Sequence, residues 1–167
     1  MIIIRFLNRV NIFIEDRYLV KLTLRMSLIS ILITIVFLGL SGELSFINDG
    51  RFFTSTNDKS NAVMMFIITV ILAPLLSTVI FQNGVISYLN DFDYFKRRIP
   101  MTIIVSAFIY SLLQYQNLYL AIYSFLMGCV FSYSYCISKK EKGPAYFVAV
   151  SIHMIRNTIL FAVGIIR

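Results

Sequence analysis

Residues 61–90 read NAVMMFIITVILAPLLSTVIFQNGVISYLN and contain no charged side chain. A helix needs about 20 consecutive apolar residues to cross the hydrocarbon core of a bilayer, so this run is long enough to span it. Pro74 and Gly84 interrupt the run, and we expect a kink or a tilt. The whole chain is 59% apolar and only 14% charged, against about 25% charged in a typical soluble domain. We therefore predict an all-α fold, a polytopic transmembrane helix bundle.

The apolar segments on either side of this run predict about five spans. They cover residues 26–41, 61–90, 100–113, 118–138 and 145–166. Residues 1–25 carry five basic side chains among apolar ones and are predicted to be an amphipathic N-terminal segment at the membrane interface, or a strap packed on the bundle of residues 26–167. No small-residue cleavage site follows a short apolar core near the N-terminus, so we expect the first span to persist as a signal-anchor.

Lysine and arginine outside the spans alternate between the two ends of the predicted bundle. The N-terminal segment has 5, the successive loops have 2, 3, 0 and 3, and the C-terminus has 1. The positive-inside rule then predicts a multi-pass protein of the cell membrane with a cytoplasmic N-terminus and an external C-terminus. The net charge of +7 fits anionic lipid headgroups rather than nucleic acid, because the basic residues lie between apolar runs.

The two cysteines, Cys129 and Cys136, lie seven residues apart in one predicted span. On a helix they share a face but are too distant for a disulfide. We expect both to act as small apolar packing residues. The sequence predicts neither a metal site nor a cofactor.

Polar side chains inside the spans are the candidates for function, because placing them in lipid is costly. His153, Arg156 and Asn157 share one face of the fifth predicted span. An arginine at mid-span costs about 2.5–3.5 kcal/mol on insertion scales, so this face is predicted to point into the bundle or a wet cavity. Thr78 and Gln82 share a face of the second span. These residues could instead do no more than bond neighbouring helices.

Taken in order, these segments resemble the CPBP family of CAAX proteases and bacteriocin-processing enzymes, also called the Abi family. Its members carry Glu-Glu-x-x-x-Arg between Ala-Pro and Gly, then Phe-x-x-x-His, then His-x-x-x-Asn. The positions of this chain that match are Ala73, Pro74, Phe81, Gly84, His153 and Asn157. The resemblance covers about residues 61–166, and its specificity comes from the order and spacing of the motifs.

The departures from the family pattern fall on its acid–base residues. Ser77 and Thr78 stand where the family has its two glutamates, Gln82 where it has arginine, and Tyr110 and Gln114 where it has Phe-x-x-x-His. In the family, the glutamates and histidines are thought to activate water for peptide-bond cleavage, a task that needs a general base. No predicted span contains Asp or Glu, and the chain has one histidine. The resemblance therefore implies a degenerate protease site in which His153 and Asn157 are remnants of the catalytic set.

The leading interpretation is a non-catalytic CPBP-like protein that binds a peptide or a membrane-protein partner. The resemblance suggests bacteriocin immunity or regulation as its role. The predicted cavity is lined by Ser77, Thr78, Gln82, Gln114 and Arg156, beside His153 and Asn157. Two alternatives stay open. An active intramembrane endopeptidase with a diverged site would lose cleavage on His153→Ala, whereas a structural or transport-associated subunit would co-purify with a partner and tolerate that substitution.

Overall fold

The computed structural model describes residue 13 and residues 16–41, 59–114 and 117–165. Within these ranges the chain forms helices joined by short turns, with no strand, so the predicted all-α fold class is confirmed. The helices are α1 (Arg17–Ser41), α2 (residues 59–90), α3 (Asp93–Lys96), α4 (Ile99–Ser111), α5 (Leu118–Lys140) and α6 (Ala145–Ile165).

Four helices in the described part of the chain are long and apolar enough to cross a membrane. Their membrane-crossing stretches are Arg17–Phe37, Ala62–Asn90, Leu118–Lys140 and Ala145–Val163. The third predicted span, 100–113, corresponds to α4, which has 13 residues. At 1.5 Å per residue α4 is about 20 Å long, shorter than the hydrocarbon core of about 30 Å. A 3₁₀ turn, Leu112–Gln114, extends it.

Helix α1 begins nine residues earlier than the predicted span at residue 26. Asp16 caps it, because its Oδ1 accepts the backbone N–H groups of Tyr18 at 2.9 Å and Leu19 at 3.3 Å. A carboxylate in this position satisfies two of the free amides at a helix N-terminus and complements the helix dipole. Residues 17–25, which we assigned to the N-terminal segment, are thus continuous with the first span. The interfacial location of residues 1–25 stays a prediction.

Helix α2 alternates between α-helical and π-helical geometry. The π-helical stretches Ile67–Leu72 and Thr78–Val85 lie on either side of Ala73–Ser77. Pro74 has no backbone N–H and breaks the regular i→i−4 ladder, and the preceding residue, Ala73, bonds the Ile68 carbonyl five residues back. Such wider turns change the direction of the side chains that follow and occur often at functional sites.

Helices α4 and α5 approach closely through small residues. A Cβ atom on Gly128 would lie 2.9 Å from the Ala107 Cα atom, so the two backbones are nearly in contact. Beside this point, the Ser132 hydroxyl donates to the Ser106 hydroxyl at 3.1 Å, and Ser106 donates to the Phe81 carbonyl of α2 at 3.2 Å. Small side chains and interhelical hydrogen bonds are the usual means of helix association in lipid.

The described basic stretches gather at one end of the bundle. The Leu19 side chain at the start of α1 lies against Gly143 in the α5–α6 turn, where an added Cβ atom would be 2.8 Å from Leu19 Cδ1. At the start of α4, Ile99 packs on a cluster that includes Cys136 and Ala145. The alternating Lys and Arg counts predict that the N-terminal segment and the loops 91–98 and 139–143 share one end of the bundle. This arrangement agrees with that grouping, and the cytoplasmic location of this end stays a prediction.

Replacing Gly128 with alanine should destabilise the bundle. The new methyl group meets the Ala107 backbone, which cannot rotate away, so we expect a loss of about 1–3 kcal/mol in the free energy of unfolding. Denaturant titration in detergent micelles measures it. The control is Gly39→Ala in α1, where nothing lies within 4 Å of the added atom and stability should hold or rise slightly. Equal effects at the two positions would contradict the close α4–α5 approach.

Candidate functional site

A directed chain of hydrogen bonds surrounds Arg156 of α6. Its guanidinium donates from Nε to the Thr34 hydroxyl of α1 at 3.4 Å and from Nη2 to the Tyr123 hydroxyl of α5. The Thr34 and Tyr123 hydroxyl oxygens lie 2.9 Å apart. The Thr34 hydroxyl donates its single proton to the Ser30 carbonyl at 2.8 Å. In the contact between the two hydroxyls, Tyr123 is therefore the donor and Thr34 the acceptor. The bonds therefore lead from the cation to a backbone carbonyl of α1.

Asn157 extends this network to α2. Its Oδ1 accepts from Arg156 Nη1 at 2.8 Å, and its Nδ2 donates to the Thr69 carbonyl at 2.8 Å. We call Thr34, Thr69, Tyr123, Arg156 and Asn157 the polar layer. It joins α1, α2, α5 and α6. A guanidinium inside an apolar bundle is tolerable only when its N–H groups are paired, and all three of its nitrogens donate here.

His153 lies one helical turn before Asn157 on α6 and is 6% exposed. Its Nδ1 atom is 3.3 Å from the Ser77 hydroxyl oxygen of α2. That hydroxyl oxygen also lies 3.3 Å from the Pro74 carbonyl, so its single proton goes to one of these two acceptors. The described polar partner of His153 is thus a serine hydroxyl. This serine stands at a position where the CPBP family has a glutamate.

A row of aromatic rings connects the segments that carry the resemblance. The His153 ring stacks on Phe131 of α5, with centroids 4.5 Å apart and an interplanar angle of 21°. Tyr110 of α4 contacts Phe131 edge-on at 6.2 Å and Phe81 of α2 edge-on at 5.2 Å. Edge-to-face and offset contacts are the preferred geometries of aromatic pairs. The three motif segments therefore meet in the bundle interior.

Gln82 is buried without a hydrogen-bond partner. It shares the inner face of α2 with Thr78, and each residue is 1% exposed. Among the described residues, neither the amide nitrogen nor the amide oxygen of Gln82 is paired. Leaving such a group unpaired costs about 1–3 kcal/mol. Gln82 therefore has an unused donor and an unused acceptor within the described part of the bundle.

The predicted site residues on α2 and α6 follow one another along the bundle. We call them the polar column: Ser77, Thr78, Gln82, His153, Arg156 and Asn157. Helices α2 and α6 run antiparallel, because Thr69 pairs with Asn157 and Ser77 pairs with His153. Gln82 follows Ser77 along α2 and so lies on the far side of His153 from the polar layer. The structure brings Ser77 to His153 and places Arg156 beside Asn157, whereas Gln82 stands apart. A single cavity lined by all of them stays a prediction.

Gln114 is the last residue of the 3₁₀ turn after α4, and its side chain lies outside the described positions. Cys129 and Cys136 are free, as the sequence predicted. Among the described residues, no three His, Cys, Asp or Glu side chains come together as ligands for a metal ion.

Sequence reasoning missed the residues that hold Arg156 and His153. Thr34, Tyr123 and Phe131 were counted as ordinary span residues, although all three contact the predicted face. A signal for Thr34 was present. Thr23, Ser27, Ser30 and Thr34 recur at spacings of four, three and four, and all are buried. That spacing predicts a polar stripe on one helix face.

These features define a helical membrane protein with a polar interior column at the meeting point of three motif segments. The chain matches the family model described as type II CAAX prenyl endopeptidase Rce1-like over residues 59–159. The match covers more than half of the chain, so the protein belongs to this Rce1-like branch of the CPBP family, and the resemblance seen in the motifs is confirmed. No curated protein and no solved structure matched the chain.

Replacing Tyr123 with phenylalanine should destabilise the protein by about 1–3 kcal/mol. The substitution leaves the guanidinium charge in the bundle and removes one of its acceptors. Unfolding in detergent micelles measures the loss. In an Arg156→Leu background the same change should cost less, because no cation then needs the hydroxyl. Tyr133→Phe, at a 41% exposed position of the same helix, is the control. An equal cost in both backgrounds would contradict the Arg156–Tyr123 pairing.

Proposed function

We propose that this Rce1-like protein is non-catalytic and binds a peptide ligand through the polar column of its bundle. The observation that carries the proposal is the contact between His153 Nδ1 and the Ser77 hydroxyl at 3.3 Å. Hydrolysis by activated water needs a general base held against the water. A serine hydroxyl at the position of the family's glutamate cannot take that role, because it is neutral at physiological pH and has no carboxylate oxygen to accept a proton from water.

The distribution of acids supports the same conclusion. The chain has eight Asp and Glu residues, and none falls within a predicted span. Those in the described part lie at helix ends and turns: Asp16, Asp91, Asp93 and Glu141. Asp16, for example, caps α1. No described carboxylate is therefore positioned on the column to orient His153 or to accept a proton from water.

Two groups of the column support peptide binding. The buried amide of Gln82 has an unpaired donor and an unpaired acceptor, which match the acceptor and donor of one peptide bond. Among the described residues, Arg156 donates to neutral oxygens of Thr34, Tyr123 and Asn157 and to no carboxylate. A cation with neutral partners in a low-dielectric bundle attracts a carboxylate strongly. The ligand class is thus a peptide with a free C-terminal carboxylate.

The family supplies the biological context of this proposal. Its description names type II CAAX prenyl endopeptidases, which cut CAAX segments. A relative that retains the bundle and loses the base would hold such a segment without cutting it. Self-immunity against a bacteriocin-like peptide, or regulation of a membrane partner, would both use that property. This step rests on analogy within the family.

A second candidate function has one observation in its favour. The Ser77 hydroxyl and the His153 imidazole are within hydrogen-bond reach, and a serine beside an imidazole base is the arrangement of covalent hydrolases. Such sites usually include a third group that orients the base. Here the imidazole stacks on Phe131, which holds the ring but accepts no proton.

Cleavage assays decide between the two candidates. The purified protein in liposomes is incubated with a farnesylated CAAX peptide, its unprenylated form and an amphipathic bacteriocin-like peptide, and products are read by mass spectrometry. We expect the peptides to stay intact, so that the wild type gives no more cleavage product than the Ser77→Ala and His153→Ala variants. Cleavage by the wild type that both variants abolish would overturn the proposal in favour of a serine hydrolase.

Binding assays test the ligand class with the same farnesylated peptide as a free carboxylate and as a C-terminal amide. The carboxylate form should be retained about tenfold better, since a charge-assisted hydrogen bond contributes about 1.5–3 kcal/mol. Gln82→Leu should weaken both forms by about tenfold, and Arg156→Lys should preserve the preference for the carboxylate. Thr158→Val, at an exposed position that bonds only its own helix, is the control. Equal retention of both peptide forms by all variants would contradict peptide binding at the column.

A further inference from the structure

A groove with a volume of about 330 Å³ lies between α1 and α6, on a different surface from the polar column. Its lining is almost wholly apolar and consists of Phe13, Val20, Thr23, Leu24, Ser151, Met154 and Ile155. None of the predicted site residues contributes to it. The volume is at the lower end of the range for ligand pockets, roughly 300–1,000 Å³. Within a membrane, an apolar open groove of this kind fits an acyl chain.

Basic side chains on α1 lie next to the groove residues in the sequence. Arg17, Lys21 and Arg25 repeat every four residues on α1, and all three are exposed; we call them the basic rim. Arg17 precedes the groove residue Leu24 by seven positions, which is two helical turns, so the two share a face. Two acids, Glu15 and Asp16, directly precede the rim in the sequence, and Asp16 accepts hydrogen bonds from the backbone amides at the start of α1.

More positive charge stands at the same end of the bundle. The end of α5 and the α5–α6 turn, which contacts Leu19 through Gly143, expose Lys139, Lys140 and Lys142. The one acid of this stretch is Glu141, so the stretch is net basic. Basic pockets between transmembrane helices at the membrane surface are the sites that bind anionic lipid headgroups.

We propose that the α1–α6 groove is a binding site for an anionic phospholipid. One acyl chain lies against Val20, Leu24 and Ile155, and the phosphate pairs with Arg17 and Lys21 of the basic rim. The ligand needs an apolar tail next to a negative head, because the groove is apolar and the rim beside it carries three basic side chains. A membrane-embedded phospholipid has both parts at these depths.

A second copy of the chain or its own N-terminal segment could also cover an apolar groove. The charge of each argues against it. A second copy of the chain inserted in the same direction would bring its own basic rim to the same membrane surface, and like charges repel. Residues 1–12 of this chain carry Arg5 and Arg9 and no acid, so they too would be repelled by the rim. An anionic lipid is the occupant with complementary charge.

Lipid retention tests the site. The full-length protein is purified in detergent containing equal amounts of phosphatidylglycerol and phosphatidylcholine, and bound lipids are counted by native mass spectrometry. We expect the wild type to retain phosphatidylglycerol preferentially. The double variant Arg17→Gln/Lys21→Gln should reduce this preference roughly tenfold, and Arg17→Lys/Lys21→Arg should preserve it. Ser151→Leu, which fills the groove and leaves the charge unchanged, should also reduce retention.

The matched control is Lys96→Gln/Arg97→Gln. It removes the same charge from exposed positions in and just after α3, away from the groove, and should leave the preference intact. An equal loss in the control would show general attraction to a basic surface and overturn the proposal. Full retention in Ser151→Leu would overturn it as well. A decrease in oligomer mass in that variant, with lipid retention unchanged, would assign the groove to a second copy and contradict the lipid site.

Discussion

The hydrocarbon core of a bilayer offers no hydrogen-bond partner, so every polar group that enters it must be satisfied inside the protein. Arg156 is the strongest case in the described bundle, because it carries a full charge within the span Ala145–Val163. Its bonds to Thr34, Tyr123 and Asn157 reach two neighbouring helices, and Asn157 reaches a third through the Thr69 carbonyl. The need to pair one cation thus fixes how four helices stand relative to each other.

The rest of the interior follows from that arrangement. With Asn157 held at Thr69, His153 comes one turn along α6 to the level of Ser77 and stacks on Phe131. Some other buried hydroxyls donate to carbonyls of their own helix, as Thr23 and Ser134 do with residues four positions earlier. Gln82 has no such route and stays unpaired. The described residues also leave the buried hydroxyls of Ser27 and Ser138 unpaired, but Gln82 is the unpaired group on the polar column, and the proposed ligand site includes it.

The membrane fold and the shared face of His153 and Asn157 could be predicted, because both depend on local patterns of hydropathy and helical spacing. The family could be predicted from motif order. The partners of Arg156 could not, because Thr34 and Tyr123 lie 122 and 33 residues away in sequence and only the packing of three helices brings them together. The start of α1 was placed too late, since basic residues were taken as the end of the apolar run and the cap at Asp16 was overlooked. The π-helical turns of α2 and the groove beside α6 have no signature in hydropathy.

The rate of hydrogen exchange at the Arg156 guanidinium tests most directly whether this side chain is paired inside the bundle. Selective ¹⁵N-arginine NMR in lipid nanodiscs resolves each side-chain Nε–H group, and Arg156→Lys identifies the signal in question by its loss. The polar layer predicts that the Arg156 Nε–H exchanges with D₂O far more slowly than that of exposed Arg17, and that Thr34→Val speeds this exchange. Exchange as fast as that of Arg17 would show a side chain extended to water, and would contradict the internal pairing on which the arrangement of the helices depends.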